Sequence, residues 1–89
     1  MVKVAFTENI QRHVACPPTS GVGTTVREVL ASVFRDNERA KAYVLDDQGA
    51  LRTHIIVFVN GHAIRDRAAL SDAVPQDAEV HVMQALSGG

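Results

Sequence analysis

The sequence closes on Leu86-Ser87-Gly88-Gly89, directly after an apolar stretch. Neither glycine has a side chain to pack, and holding a glycine still costs more conformational entropy than holding any other residue. What the pair offers is a carboxylate, on Gly89, at the end of a thread of minimal cross-section that can enter a narrow channel in another protein. The alternative reading is a frayed end, since order is weakest at chain termini. Other reactive side chains give less. His13, His54, His62 and His81 show no ligand spacing and no accompanying carboxylate motif, so no metal centre is expected. Cys16 has no activating neighbour in the sequence and reads as a small core residue; as the only cysteine it has no internal disulfide partner. Ser87 lacks the glycine pattern of a nucleophile elbow. Gly21-Val22-Gly23 is too little for a phosphate loop, and Asp46-Asp47-Gln48-Gly49 reads as a turn rather than a calcium loop. With no acid/base pair in evidence, a stand-alone enzyme is the least supported class.

Composition narrows the partners. The 89 residues make one domain, and the 46% hydrophobic content suits a packed core. Nine Lys and Arg against ten Asp and Glu leave a net charge of −1, which gives nucleic acid or an anionic membrane nothing to hold. There is no Trp and one Tyr, so base stacking is poorly served. The longest apolar run, residues 55–59, is far too short to span a bilayer, and the first residues lack the shape of a signal peptide. A cytoplasmic location is expected.

The positioning elements follow from periodicity. Val2, Val4 and Phe6 alternate with Lys3, Ala5 and Thr7, predicting a half-buried strand. Residues 8–12 read as a turn, and His13-Val14-Ala15-Cys16 as a short second strand ended by Pro17-Pro18. Thr25 and Glu28 fit a capping box. Val26, Val29, Leu30, Val33 and Phe34 then form one apolar stripe of a helix over residues 26–36. Residues 40–45 suit a short helix or an irregular packed segment. Residues 54–60 are the strongest strand, turned at Asn60-Gly61 into a short return over 62–64. Ala68-Ala69-Leu70 suits one helical turn, and residues 79–83 form the last strand. These elements make a two-layer α+β domain, a sheet of four or five strands packed on one main helix. The expected inward set is Val2, Val4, Phe6, Val14, Ile55, Val57, Val59, Val80 and Val82.

A hairpin, a helix, a strand running into Phe58-Val59-Asn60-Gly61 and a last strand leading to Gly88-Gly89 resemble the ubiquitin-like β-grasp sulfur carriers of the ThiS/MoaD family. The helix start Thr25-Val26-Arg27-Glu28-Val29-Leu30 is also similar, and the linker over residues 45–52 looks like that of the longer members. The chain departs from many members by carrying Gln84-Ala85 where they have proline, and Leu86-Ser87 where they have Val-Ala or Val-Thr. The resemblance implies a β-grasp domain over residues 1–83, with a mixed sheet, and a flexible tail over 84–89. An E1-like adenylating enzyme would activate the Gly89 carboxylate with ATP, and a sulfur donor would convert the adenylate to a thiocarboxylate. A biosynthetic enzyme would accept the sulfur, in cofactor or cysteine synthesis. Gly88 keeps the acyl centre slim, and Leu86 and Ser87 would enter the partner with it. Extended, residues 84–89 reach roughly 20 Å. No cofactor is expected on the chain itself; ATP is used by the activating partner.

If Ile55, Val57 and Val59 point inward, Ile56 and Phe58 point to the other face, joined by His81 and Met83 from the last strand. That face is the expected partner-docking patch. Two other readings share the fold. One is the small subunit of molybdopterin synthase, whose tail would insert into a large catalytic partner. The other is a ubiquitin-like modifier or interaction module without sulfur chemistry.

Overall fold

Val2, Val4 and Phe6 are buried and Lys3 is exposed, the alternation that makes a strand one-sided. The computed structural model describes residues 1–85. In chain order the elements are β1 (Val2–Phe6), α1 (Glu8–Gln11), β2 (Thr19–Gly21), α2 (Val26–Phe34), α3 (Glu38–Val44), β3 (Ile55–Val59), β4 (His62–Ala63) and β5 (Glu79–Gln84). One five-stranded sheet runs β2-β1-β5-β3-β4. The central β1–β5 pair is parallel and the other neighbours are antiparallel, so the sheet is mixed as expected.

The stripe of α2 closes one face of this sheet. Val26, Val29, Leu30 and Phe34 are buried, and Val33 packs half-buried at the core's edge. Burying each such side chain is worth about 1.5–3 kcal/mol against exposure. Of the expected inward set only Val59 is half-buried; the rest lie in the core. The Thr25 cap forms, with its Oγ1 accepting from the Glu28 amide at 3.2 Å. Glu28 reaches one residue further back than a simple capping box, accepting from the amide and hydroxyl of Thr24 at 2.7 and 3.0 Å. These bonds, the Thr24 amide first, hold its carboxyl below the ordinary range. The helix stops at Phe34, two residues short of the expected end. Asn37 caps the next helix, its Oδ1 accepting from the Ala40 amide at 3.2 Å. Residues 38–44 are helical rather than irregular.

The expected strand over His13, Val14, Ala15 and Cys16 does not form. The His13 and Val14 amides both donate to the Ile10 carbonyl, so the turn that closes α1 consumes the groups a ladder would need. Residues 8–11, expected as a turn, are that short helix, anchored by Ile10 at 0% exposure. The strand that pairs with β1 lies beyond the prolines. Val2, Lys3 and Val4 face Gly21, Ser20 and Thr19. Pro17 and Pro18 therefore precede an edge strand rather than end one, a position where a missing donor is tolerated.

Residues 66–74 complete the first turn of α2 by supplying acceptors to its orphan amides. The Leu70 carbonyl accepts from the Arg27 amide at 2.9 Å and the Asp72 carbonyl from Val26 at 3.0 Å. Leu70 holds φ at 56° to do this while its side chain is buried. Gly23 makes the matching approach from the other side. It has φ of 153°, and a Cβ there would stand 2.5 Å from Glu28 Cβ and 2.9 Å from the Val29 nitrogen. Gly23→Ala is therefore expected to cost about 1–3 kcal/mol, read as a lower urea midpoint. An unchanged midpoint would show that the helix start can shift to accommodate the methyl group.

Candidate functional site

The outer face of the sheet is built by register. Ile56 pairs with Met83 and Phe58 with His81 across β3 and β5. All four point away from the side that buries Ile55, Val57, Val80 and Val82. The row through Phe58 crosses four strands: Ala5 faces His81, His81 faces Phe58, and Phe58 faces Ala63. The alanines at both ends are short, so the imidazole and the phenyl ring are the large side chains of this row. Met83 is 38% exposed, His81 is exposed, and Ile56 and Phe58 are half-buried. The structure thus brings together the four patch residues picked from alternation. Leu86, Ser87, Gly88 and Gly89 lie outside the described residues.

Asn60 and Gly61 hold φ at 49° and 85°, the two positive values of a tight hairpin turn. Asn60 also ties this turn to the start of β5. Its amide donates to the Glu79 carbonyl at 2.8 Å, and its Oδ1 accepts from the Glu79 amide at 2.9 Å. The patch strands are thereby locked at the end away from the tail. Arg67 locks the other end of β3, donating to the carbonyls of Ile55 at 2.6 Å and Arg52 at 2.8 Å.

β5 runs through Gln84, one residue beyond the expected strand, and the Ala85 amide donates to the His54 carbonyl at 2.8 Å. The first two residues of the expected tail are therefore joined to the sheet. Around them stands a cluster that linear spacing does not signal. Tyr43 on α3 donates its hydroxyl to Gln84 Oε1. The Tyr43 ring stacks on His13, with centroids 5.5 Å apart, and meets His54 edge-on at 6.0 Å. Tyr43 and Gln84 are 41 positions apart, so only the fold reveals the pair.

Cys16, Asp46 and Asp66 are engaged structurally. Cys16 is buried and its thiol donates to the Val14 carbonyl at 3.3 Å; burial pushes its pKa up, away from a nucleophilic thiolate. Asp46 Oδ1 accepts from the amides of Gln48 and Ala50, closing the turn expected there. Asp66 does the same for its own loop, accepting from the Ser71 hydroxyl and from the amides of Ala68, Ala69 and Ser71. Those bonds, the Ser71 hydroxyl first, lower its pKa from 3.8 to about 2. A lowered carboxyl pKa stabilises the fold above the unfolded value, and that contribution is lost as pH falls from about 4 through 2. The Asp66 carboxyl resonance is expected to titrate near the lower end of that window. A midpoint close to 3.8 would contradict the loop geometry.

Comparison with known proteins places this geometry. The model of the ThiS family matches residues 17–89. No curated protein sequence gives a significant match. Among solved structures, a chain of the Amycolatopsis orientalis BexX/CysO complex superposes with a TM-score of 0.82 at 23% identity, covering 100% of both chains. Mycobacterium tuberculosis CysO, described as an antigen, superposes with a TM-score of 0.79 at 19% identity, over 97% of this chain and 100% of that one. The small archaeal modifier protein 1 of Methanosarcina acetivorans gives 0.79 at 24% identity, over 99% and 95%. These likenesses establish the ubiquitin-like β-grasp fold. Among the described residues, no helix is long and apolar enough to cross a membrane. With the family match running from the prolines before β2, through the patch strands and on to the closing glycines, the chain belongs to the ThiS family.

Proposed function

We propose that the protein is a sulfur carrier that works as a co-substrate of partner enzymes. The observation that carries the reading is the family match reaching residue 89, so that it includes Gly88 and Gly89. An E1-like enzyme joins the Gly89 carboxylate to the α-phosphate of ATP, releasing pyrophosphate. Hydrosulfide then attacks the acyl carbon, AMP leaves, and a thiocarboxylate remains. A persulfide donor gives an acyl disulfide instead, which a second thiol cleaves to the same product. The adenylate is needed because a free carboxylate does not react with sulfur nucleophiles at neutral pH. Gly88 and Gly89 leave the acyl centre without flanking side chains in a constricted site, where small displacements are costly. ATP belongs to the activating partner. The body docks through Ile56, Phe58, His81 and Met83, and Leu86 and Ser87 follow the glycines into the partner. A biosynthetic enzyme then receives the sulfur.

A second reading has one observation in its favour, the likeness to a protein described as an archaeal modifier. In that case an amine attacks the activated Gly89 and an isopeptide bond results. One experiment separates the two. The protein is incubated with ATP, sulfide and its host's E1-like enzyme, then treated with a sulfonyl azide dye, which couples to thiocarboxylates. ATP-dependent labelling that maps to Gly89 supports the carrier. Absence of label, with Gly89 found on a lysine side chain, supports the modifier.

A further inference from the structure

We propose that Tyr43 is a positioning residue that fixes the end of β5, from which the sequence continues to Gly89. The proposal rests on the carrier reading for its consequence, though not for its geometry. Four separate parts of the chain meet at this point: His13 just after α1, Tyr43 on α3, His54 just before β3, and Gln84 as the last residue of β5. One imidazole stacks on the Tyr43 ring and the other meets it nearly at right angles. The hydroxyl therefore meets Gln84 Oε1 with little further loss of rotamer freedom. Gln84 pairs in the ladder with Ile55, and the Ala85 amide is held by the His54 carbonyl. The side chain of Gln84 is thus tied to one layer and its backbone to the other.

A strand end ordinarily opens more readily than a strand centre. Here, opening Gln84 must break the Tyr43 bond as well as the ladder. Each residue released from the sheet would add about 3.3–3.6 Å of reach and widen the volume over which the acyl carbon is distributed. Its effective concentration in a partner's active site would fall accordingly. The clamp is distinct from the docking patch. Gln84 is half-buried and bonded to α3, whereas Ile56, Phe58, His81 and Met83 face outward. Loss of the clamp is therefore expected to reduce turnover more than affinity.

The test uses Tyr43→Phe, which keeps the ring contacts and removes the hydroxyl, and Gln84→Leu, which removes the acceptor. Each is expected to lower kcat for adenylation by about 3–10-fold, with KM changed less than about twofold. The double variant should lose no more than either single one, because both delete the same bond. Gln84→Glu retains an acceptor and should keep the rate near that of the wild type. Hydrogen exchange of the Ala85 amide should speed up in Tyr43→Phe while the Val57 and Val82 amides hold. Unchanged Ala85 exchange in both single variants would overturn the clamp, as would equal acceleration at all three amides, which would mark general destabilisation. Faster exchange confined to Ala85, in a protein whose wild type is not adenylated, would support the clamp and overturn the carrier reading alone.

Discussion

Deleting Gly89 is expected to reduce ATP-dependent activation by at least 100-fold while leaving the melting temperature unchanged. Removal of one residue withdraws the carboxylate by about 3.3–3.6 Å, and displacements near 1 Å already cost on the order of 100-fold in rate. Gly88→Val should act in the same direction, because its branched side chain adds bulk next to the acyl centre. The melting temperature is expected to hold because Gly89 has no side chain to bury, and holding a glycine in place costs conformational entropy. The check is pyrophosphate exchange with the E1-like partner, alongside a thermal melt. Exchange at the wild-type rate by either variant would remove the tail from the mechanism.

Phe58→Asp is expected to weaken docking on that partner by about 10–100-fold. Phe58 sits at the centre of the outward row, between His81 and Ala63, where an aromatic ring can anchor an interface and an unpaired carboxylate opposes it. The strand itself should survive. Its inward residues Ile55 and Val57 are untouched, and an exposed-face substitution in a strand costs about 1 kcal/mol. Arg39→Asp, exposed on α3, is the control expected to bind normally. Titration by calorimetry gives both dissociation constants. Equal affinity of Phe58→Asp and the wild type would place docking elsewhere on the surface.

The parts of this fold that were legible in the sequence are those where one periodicity decides. β1, β3 and β5 alternate because each buries one face, and the α2 stripe repeats because one side of the helix is the core. Thr25 and Asn60-Gly61 mark an element's start and its end by local chemistry alone. β2 was hidden because Thr19, Ser20 and Gly21 carry no apolar alternation. Gly21 is buried, and a Cβ there would stand 3.0 Å from Val29 Cγ1 on α2, a constraint that appears only when the helix is in place. α1 has one buried residue, Ile10, too few to show a period. The β1–β5 parallel pair and the Tyr43–Gln84 bond join distant parts of the chain, and neither leaves a local trace. The patch was readable because Ile56 and Phe58 inherit their direction from their buried neighbours.

Whether Gly89 carries sulfur can be read from the intact mass of the protein. The protein is purified from its native host and weighed before and after incubation with ATP, sulfide and its E1-like enzyme. The expected product is a species in which one oxygen has become sulfur, with fragmentation placing the change on Gly89. An unchanged mass in both samples, from a reaction that converts a known carrier, would rule out sulfur on Gly89.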